Sequence, residues 1–121
     1  MVDWHGYVDL ADDLLSIRLQ DEAAQRSALS RAYYGAFGVA REYLLIKRGV
    51  AVAAFNVHYH VWTVFAQAPR GIEQWIAQEG NRLKRRRDLA DYETNYATLA
   101  ADAQRWVARA RRLLAEIDGL P

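Results

Sequence analysis

The sequence predicts an all-α fold, an antiparallel bundle of four to five helices, and three observations carry that expectation. Prolines occur only at Pro69 and Pro121, so long stretches carry no residue that breaks a helix. Those stretches are rich in Ala, Leu, Arg, Glu and Gln, which lose little conformational freedom in a helix. No apolar–polar alternation and no asparagine–glycine turn marks a strand or a hairpin.

The first helix is predicted from about Trp4 to Arg18, with Trp4, Tyr7, Val8, Leu10, Leu14, Leu15 and Leu19 as its apolar face. Asp21 has the residue type of an N-cap and opens a longer helix to about Lys47, which Gly49 ends. Residues 49–56 read as a loop. Asn56 then caps a third helix from about Val57 to Gln67, and Pro69 and Gly71 break the chain again. The fourth helix runs from about Ile72 to Asp91, with a kink or division expected at Gly80–Asn81. The last runs from about Thr94 to Ile117 and places Tyr96, Leu99, Ala103, Trp106, Ala110, Leu113 and Ile117 on one stripe. No repeat or linker divides the chain, so residues 1–121 are expected to form one domain.

Composition narrows the function classes. A length of 121 residues suffices for a real core, and 52% hydrophobic against 26% charged residues is ordinary for a folded protein. There is no cysteine, which removes disulfides, thiolate metal sites and cysteine nucleophiles. No stretch has the apolar length of a membrane span. The start, Asp3-Trp4-His5, is not a basic-then-apolar leader, so a cytoplasmic protein without membrane contact is expected. The formal net charge of +1 argues against a generic polyanion binder. Its distribution is uneven. Asp3, Asp9, Asp12, Asp13, Asp21 and Glu22 make the first part acidic, and Arg82, Lys84, Arg85, Arg86 and Arg87 form a dense basic run.

Two stretches can carry chemistry. On the second helix Ala28, Leu29, Ala32, Tyr33, Ala36, Phe37, Ala40 and Leu44 cover much of the circumference, which makes this helix central. Ser27, Arg31, Tyr34, Gly38 and Arg41 fall in one narrow arc of it. That arc is either a solvated face, with arginine stems over the core, or one wall of an anion-binding groove. The basic run of the fourth helix likewise reads as a solvated face or as a phosphate site. Arg87 with Asp91 and Arg85 with Asp88 have pairing distances on a helix, and Asp88 and Tyr92 share a face. The resulting cluster of guanidinium, carboxylate and phenol can bind phosphate but holds no general base of neutral pKa.

His58 and His60 are two apart and point to different sides of a helix, so they are no metal pair; either can supply a base near Arg87 after folding. No metal or cofactor is expected. His5, between Trp4 and Tyr7, reads as a packed or surface histidine. Trp62, Trp75 and Trp106 read as core or interface anchors rather than base-stacking platforms.

The run Ser27-Ala28-Leu29-Ser30-Arg31-Ala32-Tyr33-Tyr34-Gly35-Ala36-Phe37-Gly38-Val39-Ala40-Arg41 resembles the second helix of HEPN proteins. There, a serine-arginine-alanine-tyrosine-tyrosine run leads into small residues and a phenylalanine. Arg87-Asp88-Leu89-Ala90-Asp91-Tyr92 is similar to a second HEPN motif, an arginine and a polar residue followed by alanine-aspartate-tyrosine. His58 or His60 with Val61 matches the short third-helix segment between them. The resemblance covers nearly the whole chain, and the order and separation of the motifs make it specific.

The resemblance implies four to five helices, a symmetric dimer, and a nucleotidyltransferase partner of toxin–antitoxin type. Catalytic HEPN members are metal-independent endoribonucleases in which a histidine five positions after the arginine moves protons at the ribose 2′-hydroxyl. Carried onto this chain, Arg87, Asp88 and Tyr92 take the catalytic positions, so Tyr92 stands where the histidine belongs. A phenol of ordinary pKa near 10 is a poor proton carrier at neutral pH. Three functions are therefore open. The first is an interaction module binding RNA or nucleotide through Arg31, Tyr34, Arg41, Lys84, Arg85 and Arg86 at a dimer cleft. The second is a ribonuclease with altered proton transfer, and the third is a structural scaffold. Arg87→Ala is expected to leave the fold intact and weaken an RNA contact.

Overall fold

The computed structural model describes residues 2–69 and 71–121, which are helical throughout apart from turns and loops. Helix α1 spans Trp4–Ile17, α2 Glu22–Glu42, α3 Val57–Ala66, α4 Gly71–Tyr92 and α5 Leu99–Asp118. The fold is an all-α bundle, as the sequence predicts.

Helix α1 starts where the Asp3 carboxylate accepts from the Gly6 amide at 3.0 Å. Val8, Ala11 and Leu15 form its buried face. Leu10 is 46% and Leu19 39% exposed, a correction to the wider face predicted for this helix. Leu10 lies on the outer flank of the cylinder, and Leu19 lies beyond the helix end.

Asp21 caps α2 by accepting from the Ala24 amide at 3.2 Å. The helix does continue to Lys47, but its last turn, Tyr43–Lys47, widens into π geometry. Gly49, at φ +62°, then reverses the chain in the left-handed region that glycine enters without strain. Helix α2 packs against α1, α3, α4 and α5 and is the central element.

Its small residues are there for α1. A β-carbon at Gly35 would sit 2.8 Å from the Trp4 carbonyl oxygen, and one at Gly38 would collide with the Trp4 indole. The arc proposed as a groove wall is thus partly closed. Gly38 lies beneath Trp4, whose Nε1 donates to Glu42 at 2.9 Å, and the Arg31 guanidinium sits 6.0 Å from the Tyr7 ring centre.

Asn56 precedes α3 in left-handed conformation, φ 53°, but its side chain makes no cap hydrogen bond, contrary to expectation. Helix α4 runs without the division expected at Gly80–Asn81. Gly80 serves packing instead: the buried Trp62 indole of α3 occupies the space a β-carbon would need.

The end of α4 is capped from another helix. The Arg26 guanidinium donates to the Ala90 carbonyl at 2.8 Å and to the Thr94 carbonyl at 3.2 Å. Helix α5 begins at Leu99 rather than Thr94. The preceding turn is gathered on the Asp102 carboxylate, which accepts from the Tyr96 hydroxyl at 2.8 Å and from Thr98 Oγ1 at 3.0 Å. The α5 stripe faces the core from Leu99 to Ile117, as expected.

One apolar cluster joins all five helices. At its edge, the fully buried Glu79 of α4 takes two hydrogen bonds from Arg109 of α5 and one from Arg82 at 3.4 Å. Nothing in the sequence pattern announced this clasp.

Candidate functional site

Helices α2, α3 and α4 meet around two consecutive tyrosines. A helix turns about 100° per residue, so Tyr33 points fully into the core while Tyr34 stays half-buried at its rim. The Tyr33 hydroxyl is a junction: it accepts from Trp62 Nε1 at 3.1 Å and lies 2.7 Å from His58 Nδ1. Spacing explains the meeting. His58 and Trp62 are one turn apart on α3, as Tyr33 and Phe37 are on α2. The Phe37 ring stacks on the imidazole with centres 4.1 Å apart.

Arg87 reaches the same place from α4. Its side chain is only 9% exposed, and its guanidinium carbon lies 5.3 Å from the Tyr33 ring centre and 5.2 Å from that of Tyr34. Such a cation over two ring faces is held by their quadrupoles, more strongly when water is excluded. Ion pairs at 3.1 Å to Asp88 and 3.7 Å to Asp91 balance its charge. Arg87 Nε is buried with no acceptor among the described residues. Lys84, one turn before Asp88, pairs with that carboxylate at 3.1 Å.

These groups act on one another. Burial first, then the Arg87 and Lys84 charges, hold the His58 imidazole below its usual pKa, with Asp88 pulling the other way. Burial pushes the Tyr33 phenol far above its ordinary value, so it keeps its proton. His58 Nε2 has no hydrogen-bond partner among the described residues and is not among the buried unpaired atoms, so it reaches solvent.

The sequence-predicted site residues divide accordingly. Tyr34, Lys84, Arg87 and Asp88 converge with His58. Arg86 is turned toward α5, where its guanidinium carbon lies 5.1 Å from the Trp106 ring centre and its Nε 3.6 Å from Asp102. Arg85 is exposed and does not make the pair with Asp88 expected from spacing, because Lys84 and Arg87 occupy that carboxylate. Arg31 and Arg41 are exposed on α2. Tyr92, at the end of α4, is 78% exposed.

Sequence reasoning missed Tyr33, Phe37 and Trp62 as site residues, having placed them in the core, where they also are. Their signal was present in the matched four-residue spacings on α2 and α3.

Two recesses lie elsewhere, one of about 490 Å³ between the start of α2 and the 94–100 segment, the other of about 190 Å³ beside Tyr43 and Ile117. Among the described residues no group of three or more His, Cys, Asp or Glu can hold a metal ion. No helix among them is long and apolar enough to cross a membrane. The chain therefore brings together, at one place, a cationic Lys84, a stacked and buried Arg87, and a solvent-facing imidazole nitrogen. Comparison with protein-family models, with curated proteins and with solved structures found no match.

Proposed function

We propose that this chain is an interaction module of the HEPN type that binds an anionic oxygen of RNA or nucleotide on its α2–α3–α4 surface. In this reading it acts as a cytoplasmic homodimer and partners a small nucleotidyltransferase in a toxin–antitoxin-like system. The two sequence motifs support the HEPN part, since Tyr33-Tyr34 and Arg87-Asp88 come from them and stand in contact.

The observation that carries anion binding is Arg87. Its guanidinium and the Lys84 ammonium meet on one carboxylate at this surface, and phosphate oxygens are the acceptors guanidinium geometry suits best. Lys84 and His58 Nε2 extend the same edge toward solvent.

Proton transfer has less support. Tyr92 is exposed at the helix end, and His58 has one nitrogen committed to Tyr33. A ribonuclease remains the second reading for one reason, that a histidine stands beside Arg87 after all.

The test is fluorescence anisotropy with single-stranded and structured RNA in metal-free buffer, the same samples being run on a gel. Saturable binding without cleavage is expected, and Lys84→Gln is expected to lower the salt slope by about 1. Cleavage abolished by His58→Gln would establish the ribonuclease. Neither binding nor cleavage by the folded protein would leave the scaffold reading. Co-purification with a small nucleotidyltransferase checks the partner.

A further inference from the structure

We infer that His58 is a direction-fixed hydrogen-bond donor, held by Tyr33 and Trp62 in the neutral form that carries its proton on Nε2, and that this nitrogen and Lys84 select a ligand oxygen that only accepts. The ligand half rests on the anion-binding reading above; the tautomer half stands without it.

Hydrogen-bond donors run in one direction here, from the core outward. An indole N–H can only donate, and Trp62 Nε1 gives its hydrogen bond to the Tyr33 oxygen at 3.1 Å. Tyr33 is 0% exposed, so no solvent takes the phenolic proton. The acceptor within reach is His58 Nδ1 at 2.7 Å. Nδ1 must therefore be unprotonated, and in a neutral imidazole the proton then sits on Nε2.

Both alternatives are worse. The opposite tautomer would point a second donor at the Tyr33 oxygen and strand the phenolic proton in the core without an acceptor. The imidazolium would do the same and would also face the charges of Arg87 and Lys84. The groups around the ring are Tyr33, Tyr34 and Phe37 from α2 and Lys84, Arg87 and Asp88 from α4. His60, the neighbouring histidine on α3, is turned aside, its Nδ1 accepting from the Ala53 amide at 2.8 Å. Of the surrounding charges only Asp88 favours the cation, and Lys84 and Arg87 already neutralise that carboxylate.

The consequence is chemical selectivity. An Nε2–H cannot take a proton from a hydroxyl, so this histidine is no general base in its resting form. It can donate to a phosphate, sulfate or carboxylate oxygen, and it adds direction without adding charge. Lys84 supplies the charge. Tyr33 and Trp62 are positioning residues that act through the imidazole.

Long-range proton–nitrogen correlation spectra of the histidine-labelled free protein at neutral pH test the tautomer directly, with His5→Gln and His60→Gln spectra assigning the signals. The expected pattern is an unprotonated Nδ1 and a protonated Nε2 for His58. A protonated Nδ1, or a cationic ring, overturns the inference whatever the protein binds. In Tyr33→Phe the fixed pattern is expected to give way to a mixture of tautomers; an unchanged pattern removes Tyr33 from its role. Sulfate, whose charge is constant in this range, is the probe for the ligand half. Its addition is expected to shift the His58 Nε2 signal, with affinity falling about tenfold in Lys84→Gln. The predicted tautomer with no sulfate response would refute the ligand half alone. RNA binding that leaves His58 untouched would refute it too, while sparing RNA binding itself.

Discussion

The Phe37 ring and the His58 imidazole lie 4.1 Å apart, 23° from parallel. Tyr33, one turn earlier on α2, is stacked with both at longer range, 6.1 Å from Phe37 and 5.6 Å from His58. The Phe37 and Tyr33 rings wall off the inner side of the imidazole from water while the hydroxyl of Tyr33 holds its Nδ1. Core packing and the candidate site are therefore one structure here, and substitutions in the first are expected to be read in the second.

Phe37→Ala tests that coupling. The ring is 9% exposed, so its loss is expected to cost about 3–5 kcal/mol in urea unfolding. The same change opens the imidazole to water, and the His58 titration midpoint is expected to rise, since burial is the main cause of its depression. A loss of stability without movement of the midpoint would separate the core from the site.

Acid should weaken the fold through His58. Its folded-state pKa is lowered, so between that value and the unfolded value near 6.5 the unfolded chain binds more protons than the native one. Stability is then expected to rise with pH through this window and to lose that contribution as pH falls. Urea midpoints measured across the window, with His58→Gln alongside, check the sign. The variant is expected to show a shallower pH slope, and identical slopes would remove His58 as the cause.

Much of this fold was legible because apolar spacing alone specifies which faces meet. The α5 stripe, the Asp21 cap and the turn at Gly49 all stand where their residues indicate. The failures share one physical origin, partners from other helices. Gly80 reads locally as a helix breaker, yet the Trp62 indole requires a missing side chain there. Thr94 reads as the start of the last helix, yet Arg26, 68 residues earlier, donates to its carbonyl in the turn that follows α4, and α5 begins only at Leu99. In the site, spacing placed Arg87 and Asp88 on one helix but could not show that Arg86 turns to Trp106 and Arg87 to Tyr33. One helical step separates a core-stacked cation from one pinned on α5.

Gly80→Ala distinguishes propensity from packing. Alanine favours an isolated helix over glycine by about 1 kcal/mol. Against this, the methyl would meet a Trp62 ring that is 1% exposed and held by Tyr33, so it cannot swing aside. Overpacking of this kind costs about 1–3 kcal/mol, and net destabilisation in thermal unfolding is expected. A stabilised variant would mean that α3 can shift away from α4.

Arg87→Ala, by its position in a basic run, reads as a harmless surface change, and burial reverses that expectation. The guanidinium is nine-tenths buried over Tyr33 and Tyr34, and its removal also strips a partner from Asp88 and Asp91. A desolvated cation over aromatic faces contributes about 2 kcal/mol. A loss of about 1–2 kcal/mol is expected in urea unfolding, with Arg87→Lys falling between, since an ammonium keeps the charge but not the planar stack. Lys84→Gln is the contrasting case. Its side chain is a third exposed and its pair with Asp88 is a surface one, so a change within about 0.5 kcal/mol is expected. If Arg87→Ala proved as neutral as Lys84→Gln, the stack would contribute nothing to the fold, and any loss of binding in Arg87→Ala would belong to the ligand contact alone.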